Sequence, residues 1–188
     1  FVTNTRRTFD EAVTSTIMSF IFMLARGINY SFDLRKKKKL NRKFYNNITP
    51  NIQDVFGQKI LIVGFGGIAK KILKLCKAMN MEVYGIKRKS IKKAKNIKFY
   101  NINKLEKAVQ EKNYIVNLLP YTDATKEIFN KKIFSKMRKD SFFINVGRGE
   151  TVNEFDLIKA LKKKLLLAAA LDVVQNEPIE INSKLLKI

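Results

Sequence analysis

The chain has 188 residues, of which 38 are Lys or Arg and 16 are Asp or Glu, so its formal net charge is +22. Because 46% of the residues are hydrophobic, the composition excludes a disordered basic tail and allows one ordinary domain with a buried core. A single cysteine, Cys76, excludes an intramolecular disulfide framework and fits a reducing compartment. The longest apolar runs, Phe20–Ala25 and Leu165–Leu171, are too short to span a bilayer, so no membrane partner is expected.

The first predicted element is an apolar helix that ends near Arg26. Its Ile17–Leu24 segment predicts a buried helix, packed either against the rest of this domain or against a second subunit. The chain begins with Phe1 and not with methionine, so we expect it to be a segment of a longer protein.

Glycine is scarce, and five of the eight glycines fall in two clusters. The first cluster follows the apolar run Ile60–Val63, which is typical of a strand buried on both faces, and precedes apolar residues at helical spacing. This context favours a dinucleotide-binding turn over a turn that only packs. The first glycine would allow the tight turn, the second would let a pyrophosphate approach the backbone, and the first helical amides would bind it. The residues assigned to this site are Gly64, Gly66, Gly67 and Ile68, with Ala69 at the third glycine position.

The second predicted strand, Glu82–Ile86, ends without the acidic residue that would bind the ribose 2′-hydroxyl of NAD. Lys87 and Arg88 stand there instead, and cations attract a 2′-phosphate. The sequence therefore favours NADP over NAD as the cofactor. The alternative, that these cations only reflect a lysine-rich composition, stays open.

The rest of the chain alternates strands with helices. We predict strands over Ile97–Tyr100, Tyr114–Leu119, Ser141–Asn145 and Leu166–Leu171, and helices over Ile102–Lys112, Lys131–Lys136 and from an Asn153 N-cap to Lys163. Apolar strands that alternate with helices imply an α/β fold, a Rossmann-like doubly wound parallel sheet with helices on both faces. Ligands bind at the carboxyl ends of strands in such sheets, and the glycine clusters fall at that edge.

The high positive charge suggests nucleic acid as an alternative partner. The basic residues are spread over many short runs, however, and no zinc, helix-turn-helix or RNA-binding signature is present. We therefore expect a solvated basic surface, no specific nucleic-acid partner and no metal site. Salt-sensitive DNA binding without competition by a dinucleotide would support the alternative.

Four stretches share the motifs of one family. They are Val2–Thr5 with Asp10–Val13; Val63–Ala69; Leu119–Thr125; and Phe143–Gly149 with Ala170–Val173 and Glu177-Pro178. They resemble motifs of the D-isomer-specific 2-hydroxyacid dehydrogenases. The first two stretches resemble the entry segment and the glycine turn of that family, and the third resembles its Leu-Pro-x-Thr-x-x-Thr loop. The fourth resembles its signature of Asn-x-x-Arg-Gly, Ala-x-Asp-Val and Glu-Pro. The resemblance is to their nucleotide-binding domain and covers nearly the whole chain.

Hydride transfer to a 2-oxo acid requires a cation for the substrate carboxylate and carbonyl, a proton donor, and a carboxylate that orients the donor. Arg148 suits the first role because guanidinium is always charged and binds carboxylates through two bonds. Glu177 is assigned the last role. The resemblance implies that the donor is a histidine shortly after the Glu-Pro pair. The chain has no histidine, so we expect that residue beyond Ile188.

The resemblance also implies a second, substrate-binding domain formed by residues before Phe1 and after Ile188, a homodimer and a cytoplasmic location. The implied substrate is a D-2-hydroxy acid or 2-oxo acid of the glyoxylate, hydroxypyruvate or phosphoglycerate type. This segment alone would then be inactive. A corepressor-like protein that senses nucleotides on the same fold stays an alternative. Cofactor contacts implied by the resemblance are Pro120, Thr125, Val146, Gly147 and Asp172.

Overall fold

The computed structural model describes residues 9–38, 41–43, 46, 49–87 and 97–188. Within these ranges six strands form one sheet in the order β3-β2-β1-β4-β5-β6, and all neighbouring strands run parallel. The order reverses between β1 and β4, as in a Rossmann-like doubly wound sheet, so the predicted α/β class is confirmed. The strands are β1 Lys59–Val63, β2 Glu82–Lys87, β3 Lys98–Asn101, β4 Tyr114–Asn117, β5 Phe142–Asn145 and β6 Ala168–Leu171.

Helices cover both faces of the sheet. In chain order they are α1 Asp10–Ala25, α2 Ile28–Lys36, α3 Gly67–Ala78, α4 Leu105–Ala108, α5 Lys131–Phe134 and α6 Glu154–Lys162. Helices α1 and α3 pack on one face, and α4, α5 and α6 pack on the other. The predicted cap of α6 is confirmed, since Asn153 Oδ1 accepts a hydrogen bond from the Asp156 amide.

Strand β1 shows why the sheet needs cover on both faces. Ile60 and Ile62 belong to the apolar cluster beneath α1 and α3, whereas Leu61 and Val63 belong to the cluster beneath the other helices. All four side chains are fully buried, and they alternate between the faces as in any strand. A continuous apolar run is therefore what a central parallel strand requires.

Helix α1 is buried against its own domain. Ile17 and Ile21 are fully buried, and α1 contacts α3, β5 and β6. Packing within the domain, one of the two predicted arrangements, is therefore confirmed, while Phe22 on the outer side of the helix is exposed. No single helix of the described residues is long and apolar enough to cross a membrane; α1 and α2 meet that criterion only as a pair bent by 69°.

The predicted helix over Ile102–Lys112 is wrong in length. A 3-10 turn spans Ile102–Lys104, and α4 ends at Ala108. Glu111 has a φ of 57°, a left-handed conformation that does not continue a helix. The chain turns there because it has to enter β4 only a few residues later.

Two predicted strands extend two residues beyond the observed ones. Strand β4 ends at Asn117 and not at Leu119, because the Leu119 amide donates to the Asn117 side chain at 3.1 Å. Strand β6 begins at Ala168, whereas Leu166 lies in the bend that follows α6. The shorter β4 leaves Leu118 to bond the carbonyl of Val63, whereas Leu166 stays buried in the core.

A buried network of polar side chains joins the loops that follow β4 and β5. Asn117 Nδ2 donates to Asn145 Oδ1 at 2.9 Å and to Thr151 Oγ1 at 2.7 Å. The Thr151 hydroxyl in turn donates to the carbonyl of Arg148 at 2.6 Å. All three side chains are at most 1% exposed. The network therefore sets the backbone of the Arg148 loop from inside the sheet.

We expect Asn117→Leu to lower the free energy of unfolding by about 2–3 kcal/mol, because it removes the donor to the buried Thr151 hydroxyl and the acceptor of the buried Leu119 amide. Urea unfolding followed by circular dichroism measures this loss. Asn103→Leu, at an exposed position, is the matched control and should change the same free energy by less than about 0.5 kcal/mol. Equal unfolding midpoints for the two variants would contradict the assignment.

Candidate functional site

The loops after β1 and β4 meet at the point where the strand order reverses. Gly64 has a φ of 98°, and a Cβ built on it would lie 2.8 Å from the carbonyl oxygen of Leu118. The Leu118 amide donates to the carbonyl of Val63 at 2.7 Å, which holds the two loops together. Only glycine fits position 64, because the left-handed backbone conformation disfavours other residues and a side chain would collide with the Leu118 carbonyl. The turn predicted at Gly64 is present.

The amino end of α3 opens directly from this turn. Gly66 and Gly67 are exposed, and no described residue has an atom within 4 Å of a Cβ built on Gly66. Protein packing therefore does not explain a glycine at position 66, whereas the approach of a ligand to the backbone does. Free amides at the amino end of a helix favour an anion such as a diphosphate. The residues present thus fit the dinucleotide that the sequence predicted.

Gly67 has a different neighbour. A Cβ built on it would lie 2.9 Å from Asp10 Oδ2, so the missing side chain leaves room for the first turn of α1. Ile68, also assigned to the site, turns its side chain to the core beneath α3. Any contribution of these two residues to ligand binding therefore comes from their backbone.

A cavity of about 350 Å³ lies beside the turn at the carboxyl ends of β1, β2 and β4. Its volume is in the range of small-molecule and cofactor sites. Thr125 fixes one of its walls, because its hydroxyl donates to the Pro120 carbonyl at 2.7 Å and accepts from the Thr122 amide at 2.8 Å. Residues from each strand end line it, among them Gly64, Gly66, Lys87, Pro120 and Thr125.

The end of β2 places a cation at the rim of this cavity. Lys87 is half-buried, and its Nζ lies 4.4 Å from the centroid of the Phe99 ring and 5.3 Å from that of Phe65. Arg88, the second predicted cation, lies outside the described residues. The acid typical of an NAD site is absent at the end of β2, as the sequence indicates.

The loops after β5 and β6 form the second part of the candidate site. A Cβ built on Gly149 would overlap the carbonyl group of Val174, and one built on Gly147 would lie 2.7 Å from the carbonyl oxygen of Leu119. These glycines bring three loops into contact at one edge of the sheet. Val146 is buried among core residues, so only its backbone is available to a ligand.

Three charged residues assigned from the sequence lie on these loops. Arg148 is exposed, and its Nη1 donates to the carbonyl of Gly147 at 2.7 Å. Glu177 Oε1 accepts from the Val174 amide at 3.1 Å, and the Asp172 amide is bonded to the end of β5. Among the described residues, Arg148 forms no ion pair with either carboxylate. The fold thus gathers these residues at one edge and leaves the guanidinium open to an anionic ligand.

Sequence reasoning missed Asn117 and Thr151, which determine where this loop backbone lies. A signal was available for Asn117, because it and Asn145 are the polar residues that end two otherwise apolar strands. They are register partners in neighbouring strands, and their side chains meet. No comparable pattern marks Thr151, which follows the second glycine cluster in a 3-10 turn.

Comparison with known proteins identifies the family of this chain. Residues 18–188 match the family model described as D-isomer specific 2-hydroxyacid dehydrogenase, NAD binding domain. The glyoxylate/hydroxypyruvate reductase B of Enterobacter sp. (strain 638) is 33% identical over 179 residues, which are 94% of this chain and 54% of that protein. Its counterpart in Escherichia coli O6:H1 is 31% identical over 191 residues, covering 98% of this chain and 57% of that protein. The chain spans a little over half the length of these relatives.

Solved structures give the same result. The NADPH-dependent glyoxylate/hydroxypyruvate reductase of Sinorhizobium meliloti, in complex with NADP and sulfate, matches with a TM-score of 0.82 and 25% identity, over 100% of this chain and 58% of that one. A D-isomer specific 2-hydroxyacid dehydrogenase family protein from Aeromonas salmonicida matches with a TM-score of 0.82 and 29% identity, over 96% of this chain and 56% of that one. Sequence, fold and the position of the glycine turn agree: this chain belongs to the D-isomer-specific 2-hydroxyacid dehydrogenases and corresponds to their NAD-binding domain.

Proposed function

We propose that the chain is the nucleotide-binding domain of an oxidoreductase that transfers a hydride between a nicotinamide cofactor and a D-2-hydroxy acid or 2-oxo acid. The observation that carries the proposal is the open backbone at Gly66, at the amino end of α3 and beside the strand-order reversal. Among the described residues no atom lies within 4 Å of a Cβ built on Gly66, and backbone amides there suit a diphosphate. The relatives named as reductases favour an enzyme over the corepressor-like alternative.

NADP is the preferred cofactor in this proposal. Strand β2 ends in Lys87 and not in the carboxylate that would accept a hydrogen bond from a ribose 2′-hydroxyl. The Sinorhizobium reductase was solved with NADP, which agrees with this preference. A bound nicotinamide would accept or give up the hydride, and this chain would hold the nucleotide and orient it.

Arg148 and Glu177 carry the substrate chemistry. Arg148 binds the carboxylate of a small 2-oxo acid and polarises its carbonyl, since it is exposed on a loop fixed from below by the buried polar network. One oxygen of Glu177 is used by its own loop, which leaves the other to orient a proton donor. That donor is a histidine of the whole protein, in which a substrate domain flanks this chain. The relatives indicate glyoxylate or hydroxypyruvate as substrates over a phosphoglycerate-type acid.

The protein is a homodimer in this proposal, and helices α1 and α2 supply the interface. Phe22, Ile28 and Phe32 expose 40%, 43% and 56% of their surface on neighbouring helices. Large apolar side chains grouped on a surface mark association sites. Light scattering of the wild-type chain should give the mass of two chains, and Phe32→Glu should give the mass of one. A monomeric wild type would contradict this part of the proposal.

A cytoplasmic location completes the proposal. The single cysteine is fully buried, and desolvation raises the pKa of the Cys76 thiol to about 12. A protein without disulfides suits a reducing compartment. Cell fractionation tests this, and recovery of the protein from an extracellular or membrane fraction would contradict it.

Gly66→Ala tests nucleotide binding. We expect it to weaken NADPH binding by about 10- to 100-fold, because the added methyl group occupies the space of the diphosphate and removes charge-assisted hydrogen bonds. Isothermal titration measures the Kd. The melting temperature should change little, since no atom of the part of the chain that the structure describes lies within 4 Å of the new Cβ.

Gly64→Ala is the contrasting control. It should lower the melting temperature, because it forces alanine to a φ of 98° and against the Leu118 carbonyl. If Gly66→Ala bound NADPH as tightly as the wild type, the proposed cofactor site would be wrong.

We expect the isolated chain to bind NADPH but to reduce neither glyoxylate nor hydroxypyruvate, because it contains no histidine to protonate the product alkoxide. The absorbance of the reduced nicotinamide follows the reaction, with an active relative as the positive control. Measurable turnover by the isolated chain would show that the donor is not a residue outside it.

A further inference from the structure

Strand β2 contains a glycine that the cofactor turn does not explain. Gly85 is buried in the interior of the strand. A glycine at such a position weakens a strand, and the chain has only eight glycines in all. A Cβ built on it would lie 2.6 Å from Cε1 of Phe99 and 2.7 Å from Cδ2 of Phe65. The glycine therefore makes room for two aromatic rings that pack directly on the backbone of β2.

The two rings come from different parts of the site. Phe65 stands between Gly64 and Gly66 in the glycine turn, and Phe99 is the register partner of Gly85 on strand β3. Their centroids are 4.9 Å apart and their planes meet at 82°, the edge-to-face arrangement that aromatic pairs favour. We call Gly85, Phe65 and Phe99 the aromatic platform. It links the turn to the outer strand.

Lys87 extends over this platform. It lies two residues beyond Gly85 and therefore on the same face of β2. Its ammonium is within cation–π range of both rings, at 4.4 Å from Phe99 and 5.3 Å from Phe65. Within the described part of the chain no Asp or Glu forms an ion pair with it. The rings hold the charge in place, and hydrogen-bond donors of the ammonium are left for a ligand.

The held ammonium stands at a boundary between two spaces. On one side is the cavity of about 350 Å³ at the strand ends. On the other is an open groove in front of α3, which Lys87 lines together with Gly66, Gly67, Lys70, Lys74 and the acidic Asp10. A nucleotide whose diphosphate lies at the turn would bring its adenosine ribose to the end of β2, next to this charge.

We propose that the aromatic platform makes Lys87 a preformed receptor for the 2′-phosphate of NADP, so that Phe99 is a positioning residue that determines cofactor specificity. This inference rests on the proposed function. A free lysine side chain loses much rotamer entropy when it binds a phosphate. Holding the ammonium in advance removes part of that cost, and only a cofactor with a 2′-phosphate gains from it.

Phe99→Leu tests the inference, because it keeps an apolar side chain on β3 but removes the ring beneath Lys87. We expect the Kd for NADPH to rise about 3- to 10-fold while the Kd for NADH changes by less than about twofold. Phe99→Tyr keeps the ring and should keep the wild-type ratio of the two Kd values. Both variants are compared by isothermal titration after a thermal melt shows that they fold.

A double-mutant cycle with Lys87→Met separates positioning from general damage. In the Lys87→Met background, Phe99→Leu should change neither Kd, since the charge that it positions is gone. The inference would be overturned if Phe99→Leu weakened the binding of NADPH and NADH equally, or if it still weakened NADPH binding in the Lys87→Met background. Either result would leave the proposed function intact. Failure of the wild-type chain to bind either nucleotide would overturn both.

Discussion

The site depends on the close contact between the loops after β1 and β4. Gly64 takes a φ of 98° beneath the carbonyl of Leu118, and the Leu118 amide bonds back to the end of β1. This contact turns the chain sharply enough that α3 begins immediately, with its first amides directed past the end of the sheet. A side chain at position 64 would separate the loops, so the proposed anion site, the cavity and the placement of α3 all depend on this glycine.

A second constraint comes from inside the sheet. The Asn117, Asn145 and Thr151 side chains form a buried hydrogen-bonded network under the loop that carries Arg148. Buried polar groups are costly unless they are satisfied, and here their bonds fix backbone positions that a purely apolar core would leave to the loop itself. The cofactor loops and the Arg148 loop are therefore connected through the ends of two adjacent strands. This connection lets an exposed arginine keep a defined position.

The sequence correctly predicted those elements whose structure depends on a signal within a few neighbouring residues. The run Ile60–Val63 and the Asn153 cap are examples, because burial on both faces and a side-chain cap are properties of a few neighbouring residues. The predicted helix over Ile102–Lys112 failed, because its end depends on how soon the chain must enter β4. The strand-end motifs could be assigned from the sequence, but the contacts of Gly149 with Val174 and of Asn117 with Thr151 could not. Those contacts join loops far apart in the chain, and only the folded sheet brings them together.

The aromatic platform shows how the same physics extends to specificity. Gly85 lowers the strand propensity of β2, and the rings of Phe65 and Phe99 occupy the space that it leaves. A chain with a net charge of +22 has many lysines that attract anions, yet in our proposal only the fixed lysine at the end of β2 distinguishes one nucleotide from another. Specificity in this account comes from the position of one charge and not from the number of charges.

The most direct test of the central claim is a crystal structure of the chain with NADPH. The account predicts that the diphosphate accepts hydrogen bonds from the backbone amides at Gly66, Gly67 and Ile68, with Gly64 unchanged at the turn. A diphosphate bound elsewhere on the chain, or a turn closed by protein side chains when the nucleotide is present, would contradict it.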